Sequence, residues 1–262
     1  MIGYNHLGRN GRLGNQMFQY AALRGIAAKH GYQWCIPPSN FEVEPEAGEE
    51  KDHQLFEGFK LPSVEHVELL GAIYLEEKSF TFDQELFETC PDNVNLYGFF
   101  QTEKYFKHIE QEIREDFIFN DDIWNPCKEM FEFDDAISLH IRRSDYMQKQ
   151  EFHPICPLDY YEVALDKLPK DIPVLIFSDD TQWCKKQKIF SSDRFLISES
   201  NNNLVDLCLM TMCNYHIVAN SSFSWWGAWL ANGKKVIAPK VWFGPKANID
   251  DSDLVPERWE RI

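Results

Sequence analysis

What this 262-residue chain lacks narrows the field first. Basic residues are scarce: 26 Lys and Arg stand against 42 Asp and Glu, a formal net charge of −16. A broad basic face for nucleic acid is therefore excluded. No run of about 18 apolar residues occurs, so no membrane span is expected. The opening "MIGYNHLGRNGRLGNQ" has no apolar stretch of signal-peptide length. The seven cysteines are odd in number and include no C-x-x-C. That speaks against a disulfide framework or a zinc site and for a reducing compartment. A soluble cytoplasmic protein is the expectation. Neither G-x-G-x-x-G nor G-x-x-x-x-G-K-[ST] is present, so dinucleotide-loop and P-loop readings fail on pattern. No G-x-S-x-G elbow supports serine-hydrolase chemistry.

What is present is a core. Hydrophobic residues make up 44% of the chain, with 20 Phe and 8 Trp, which marks a globular protein. "IGYNHLG" reads as a short strand, and "GRNGRLGNQ" as a turn with Gly8, Gly11 and Gly14. "NQMFQYAALRGIAAKHG" reads as a helix closed by Gly31, and "QWCIPP" as a strand. The segment containing "FEVEPEAGEEKD" reads as an acidic surface loop or insertion. "VNLYGFFQ" suggests a strand and "TEKYFKHIEQEIREDF" one helix. From residue 134 the alternation is regular. Strands "AISLHI", "IPVLIFSDD", "DRFLIS", "YHIVAN" and "KKVIAP" are separated by helices at "LDYYEVALDKL", near Trp183, at "NLVDLCLMTMCN" and at "SSFSWWGAWLAN". Such alternation predicts a parallel α/β sheet. The domain boundary is placed at 133/134, giving domains 1–133 and 134–262.

Three polar motifs follow predicted strands, at the edge where open α/β sheets bind ligands. "HIRRSD" places Arg142 and Arg143 after an apolar run. An arginine fork suits a phosphate, with His140 and Asp145 to orient it; a structural Arg–Asp pair is the alternative. In "VLIFSDD", Asp179 and Asp180 can hold a divalent metal or a ligand hydroxyl, or cap a helix. The D-x-D spacing is absent there and occurs only in "DDSD" at 250–253, behind no apolar strand. "ANSSFSWWGAWL" puts Ser221 and Ser222 at a helix start, which serves either an anion or simple capping. Trp225, Trp226 and Trp229 fit the core. "GRLGNQ" is a further glycine-rich turn before a helix, with Arg12 and Asn15 as its polar groups.

Taken in order, "GRLGNQMFQYAA", "HIRRSDY", "FSDD" and "NSSFSWWGAWL" resemble the α-1,2-fucosyltransferases, inverting enzymes that use GDP-fucose and are related more distantly to protein O-fucosyltransferases. The resemblance implies a GT-B-like fold of two Rossmann-like halves with a cleft between them. The C-terminal half would hold GDP-fucose and the N-terminal half would serve the acceptor. It implies no metal and no cofactor, and a galactose-terminated oligosaccharide as acceptor. His140 and Arg142 would contact the donor, Arg142 at the β-phosphate, with Asp145 ending that motif and Arg143 and Asp179 beside it. Ser221, Ser222 and Phe223 would line the pyrophosphate, and Asp206 would meet guanine. Gly14 and Asn15 would approach the sugar-phosphate. Arg12 matches the protein O-fucosyltransferase version, whereas the bacterial α-1,2 enzymes more often carry glycine there. No general base stands out; Asp145 and His140 are the candidates by position, with holding the arginine as their alternative role. A nucleotide-dependent oxidoreductase and a binding module without turnover are the rival readings.

Overall fold

The computed structural model describes residues 1–38, 54–61, 65–231 and 233–262; the acidic segment at 41–52 lies outside the described residues. By contacts the chain divides into two units, Met1–Asn120 with Asp250–Pro256, and Asp121–Ile249 with Glu257–Ile262.

The first unit is built on a parallel sheet of β1 (Ile2–Gly3), β2 (Trp34–Ile36), β3 (Glu65–His66), β4 (Ile73–Glu76) and β5 (Val94–Tyr97), in the order β3-β2-β1-β5-β4. Its helices are α1 (Leu13–His30), α2 (Gln54–Gly58), α3 (Gln84–Thr89) and α4 (Glu110–Asp116). Helix α1 is apolar around most of its circumference and correspondingly buried. Met17, Phe18, Tyr20, Ala21, Leu23 and Ile26 are all at most 1% exposed. Gly25 permits its close packing, since a Cβ there would lie 2.1 Å from the Tyr105 carbonyl oxygen. Arg24, a charge in the middle of this buried helix, is paired with Asp116, which also accepts the Tyr20 hydroxyl at 3.1 Å. The helix ends at Gly31, whose φ of 68° is the left-handed cap that glycine favours.

The single helix expected over 102–117 is instead two short turns, Glu103–Tyr105 and Lys107–Ile109, followed by α4. Tyr105 and Phe106 are adjacent and both fully buried. The chain breaks at Phe106, whose φ of −133° and ψ of 2° lie outside the helical region. The Tyr105 hydroxyl also accepts the Asp83 N–H at 2.9 Å, which anchors the break.

In the second unit, α5 (Asp121–Met130) precedes β6 (Ile137–Ile141), α6 (Leu158–Asp166), β7 (Val174–Ser178), α7 (Thr181–Cys184) and β8 (Phe195–Ile197). Then come α8 (Asn203–Met212), β9 (Tyr215–Ile217), α9 (Ser222–Ala231), β10 (Lys235–Ala238) and β11 (Glu260–Arg261). The strands are all parallel in the order β8-β7-β6-β9-β10-β11. This is the doubly wound nucleotide-binding order, and its direction reverses between β6 and β9. Every residue of β6 is buried, as a central parallel strand requires. Trp225, Trp226 and Trp229 are at most 1% exposed and pack together in the core.

The expected boundary at 133/134 and the division after Asn120 differ by helix α5. That helix buries Ile123 and Cys127, and the Cys127 thiol approaches the Val205 carbonyl of α8 at 3.8 Å. Pro126 inside it hides the helix from a propensity reading. Residues 250–256 belong with the first unit, where Asp253 accepts the Phe82 N–H at 2.8 Å and pairs with Lys104.

Candidate functional site

Three motifs converge at the carboxyl edge of adjacent strands β7, β6 and β9. Strand β6 delivers Arg142 and Arg143 immediately after Ile141, β7 delivers Asp179 and Asp180 after Ser178, and β9 leads into Ser221 and α9. The Arg142 guanidinium is held on two sides, by Asp145 at 2.7 Å and Asp179 at 3.0 Å. Asp179 also accepts the backbone N–H groups of Arg143 at 2.9 Å and Ser144 at 3.2 Å. One carboxylate thus fixes both the turn after β6 and the arginine that the turn presents.

The two arginines have separate environments. Arg143 pairs with Asp180 at 3.3 Å, and its guanidinium lies 4.0 Å from the centre of the Trp183 ring. Asp180 meanwhile accepts the Trp183 N–H at 3.0 Å and caps α7. Asp180 and Arg143 are therefore committed to holding α7 against the β6 turn, and Arg142 is the arginine held at the switch point.

His140 is 5% exposed, and its Nδ1 has no hydrogen-bond partner among the described residues. Burial, reinforced by the Arg142 charge, pushes its pKa down to about 3. The ring is thus neutral at physiological pH, and it packs 5.6 Å from the Phe223 ring at the start of α9. The sign of the linkage is fixed by this depression. Above pH 6.5 both folded and unfolded states carry a neutral ring; below it only the unfolded ring gains a proton. This group should therefore cost stability as pH falls from about 6.5 toward about 3, by about 1 kcal/mol per pH unit. Urea midpoints at pH 7 and pH 5 should separate more in wild type than in His140→Gln; equal separations would refute it.

The first residues of α9 supply the opposite kind of group. Ser221, Ser222 and Phe223 are half-buried at the amino end of a ten-residue helix. Such an end presents backbone N–H groups and the positive pole of the helix dipole. Together with the Arg142 fork it makes an environment fitted to a phosphate.

Asp206 lies in the first turn of α8, beyond the end of β8. Its carboxylate accepts the hydroxyls of Ser198 at 2.6 Å and Ser200 at 2.7 Å. Burial raises its pKa despite those bonds. Arg12, Gly14 and Asn15 belong to the first unit, Arg12 closing the turn after β1 and Gly14 and Asn15 in the first turn of α1. Arg12 is the N-cap without a side-chain cap bond. Asn15 accepts the Gln101 amide at 2.9 Å, tying the turn to the segment after β5. Gly11 has φ +85°, and a Cβ there would lie 2.1 Å from the Asn15 side-chain nitrogen. That turn sits at the first sheet's own reversal of strand order, between β1 and β5.

Two residues with no role in the sequence reading support this edge. Tyr146, the last letter of "HIRRSDY", donates its hydroxyl to the Asn220 carbonyl at 2.9 Å. Asn220 is 2% exposed and directly precedes Ser221. The signal that could have found it is an amide closing the apolar run "YHIVAN", where a polar side chain needs buried partners.

Among the described residues no helix is long and apolar enough to cross a membrane. Residues 1–259 match glycosyl transferase family 11. The chain is similar to an alpha-1,2-colitosyltransferase of Escherichia coli, 33% identical over 96% of each chain. It is also similar to galactoside 2-alpha-L-fucosyltransferase SEC1 of Bos taurus, 24% identical over 86% of this chain and 64% of that one. Among solved structures it resembles NodZ alpha-1,6-fucosyltransferase soaked with GDP-fucose, with a TM-score of 0.59 and 15% identity over 92% of this chain and 95% of that one. The likeness is one of fold: the two parallel α/β units are the Rossmann-like halves of a GT-B-like enzyme.

Proposed function

Since the chain belongs to glycosyl transferase family 11 and is a glycosyltransferase, we propose that it moves L-fucose from GDP-β-L-fucose to the 2-hydroxyl of a terminal β-galactoside, with inversion. The observation that carries this reading is the Arg142 fork, held by Asp145 and Asp179 at the switch point of the second sheet. The second unit binds the donor and the first serves the acceptor. Arg142 meets the β-phosphate, and the start of α9 at Ser221, Ser222 and Phe223 meets the pyrophosphate. Asp206 receives guanine N–H groups. Arg12, Gly14 and Asn15 are assigned to donor binding. Arg143 and Asp179 hold the Arg142 turn in place.

In the reaction the bond between the sugar's anomeric carbon and the β-phosphate oxygen breaks, and its electron pair stays on that oxygen. The acceptor oxygen forms the new bond from the opposite face and loses its proton. Charge growing on the phosphate is met by Arg142 and the α9 amides, without a metal ion. His140 is a poor base, since a pKa of about 3 leaves little driving force for taking a proton at neutral pH. We assign it instead a hydrogen bond through Nδ1 to the bound donor. No general base is assigned; a loose transition state needs little proton removal in advance. The chain works in the cytoplasm on an oligosaccharide under assembly.

A second donor has a specific observation behind it, the 33% identity to a colitosyltransferase. Colitose is fucose without its 3-hydroxyl, so GDP-colitose would differ from GDP-fucose at one sugar position. Purified protein should be given GDP-fucose and GDP-colitose separately, with a β-galactoside acceptor and EDTA present. An α-1,2-linked product from GDP-fucose at the higher kcat/KM supports the reading. Preference for GDP-colitose would change the donor, and another linkage would change the acceptor hydroxyl. No transfer from either sugar nucleotide would overturn the reading.

A further inference from the structure

Tyr146 touches both halves of the proposed phosphate site. Its hydroxyl donates to the Asn220 carbonyl at 2.9 Å, and its ring centre lies 5.6 Å from the Arg142 guanidinium. The other ring neighbour is His153, stacked at 5.0 Å with planes 22° apart. Asn220 is equally committed. Its amide donates to the carbonyls of Pro154 and Trp242, each at 2.9 Å, and its Oδ1 receives the Cys156 thiol at 3.5 Å. All polar atoms of that side chain are thus used within the second unit, and the residue is a fixed post ahead of Ser221. Through one hydroxyl, Tyr146 ties the arginine side of the edge to the start of α9.

We infer that Tyr146 is a positioning residue that sets the Arg142 fork in register with the first turn of α9, so that both meet the same developing phosphate charge. The inference rests on the glycosyl-transfer reading. Preorganised donors act on charge that grows in the transition state, so misregister reduces kcat more than it weakens ground-state binding. Tyr146 suits a fixed donor. Burial, the largest influence, pushes its pKa up to about 12, so the hydroxyl keeps its proton throughout the working range.

The test is a double-mutant cycle on the full chain. Tyr146→Phe keeps the ring beneath Arg142 and removes only the hydroxyl. It should lower kcat about tenfold while shifting donor KM and the calorimetric Kd for GDP less than about twofold. In an Arg142→Lys background, where the fork is already gone, the same change should cost less than about twofold in kcat. Tyr160→Phe is the control. Its hydroxyl also holds two carbonyls, Val218 at 2.7 Å and Ile237 at 3.2 Å, but it should combine additively with Arg142→Lys. A rescue variant carries 4-aminophenylalanine at position 146, which restores a donor at the ring's far end and should recover most of the lost kcat.

Additive losses for Tyr146→Phe and Arg142→Lys, or a cycle matching that of Tyr160→Phe, would reduce Tyr146 to a structural residue and overturn the inference. If Tyr146→Phe lowers the folded fraction, kcat is corrected to folded protein by circular dichroism, and the rescue variant decides. Failure of the glycosyl-transfer reading would look different, as wild type without turnover on any GDP-sugar. In that case the cycle is run on GDP affinity with Arg142→Lys, where additivity again refutes the coupling.

Discussion

Arg142→Ala is expected to lower turnover by at least about a hundredfold while the protein stays folded. The size follows from the work asked of the residue. In the proposed reaction negative charge gathers on the β-phosphate as the sugar leaves, and a preorganised donor aimed at such charge is typically worth about 3–4 kcal/mol. Each factor of ten in rate is about 1.4 kcal/mol of barrier, so losing one such donor removes two to three decades. Arg142→Lys should recover little of this. It keeps the charge but not the planar fork, and here the fork is already oriented by Asp145 at 2.7 Å and Asp179 at 3.0 Å. Steady-state kinetics on both variants, with circular dichroism as a check of the fold, decides the matter. Near-normal rates in folded Arg142→Ala would remove the residue from the site.

Asp179→Ala should be damaging in a different way. It strands part of the Arg142 guanidinium and the N–H groups of Arg143 and Ser144, three donors that one carboxylate now satisfies. Its side chain is 20% exposed, so water replaces some of what is lost. About 2 kcal/mol of stability and at least about tenfold in turnover are the expected costs. Affinity for GDP should hold or rise, because a carboxylate competing for Arg142 has gone. Denaturant melts, GDP calorimetry and kcat together test that pattern. Parallel losses in GDP affinity and turnover would instead make Asp179 a direct donor-binding group.

Much of this edge was legible in the sequence because buried parallel strands are short continuous apolar runs. "AISLHI" and "VLIFS" admit little else, and the polar letters that follow them mark the sheet's carboxyl edge. The partners of Arg142 and Arg143 were not legible. Asp145, Asp179 and Asp180 all stood within the quoted motifs, but which acid meets which arginine depends on strand register and side-chain direction. The pattern also concealed α5, with its internal proline, and the two-residue strands β3 and β11, too short to show a period. The break at Phe106 is tertiary in origin: the Tyr105 hydroxyl accepts the Asp83 N–H and the Tyr105 carbonyl closely approaches Gly25 of α1, contacts that no periodicity shows.

The detour at 250–256 bears on how such enzymes can be recombined. The chain passes from the first unit to the second after Asn120, returns for Asp250–Pro256, and comes back to lay β11 beside β10. A chimera that exchanges the second unit between relatives therefore needs three junctions, after 120, after 249 and after 256. A single splice would carry a foreign Asp253 into the site where Phe82 and Lys104 expect their own. Truncation before residue 257 would strip β11 from β10, leaving an open sheet edge available to a neighbouring chain. The second unit of this chain is thus separate in its contacts but not continuous in gene order.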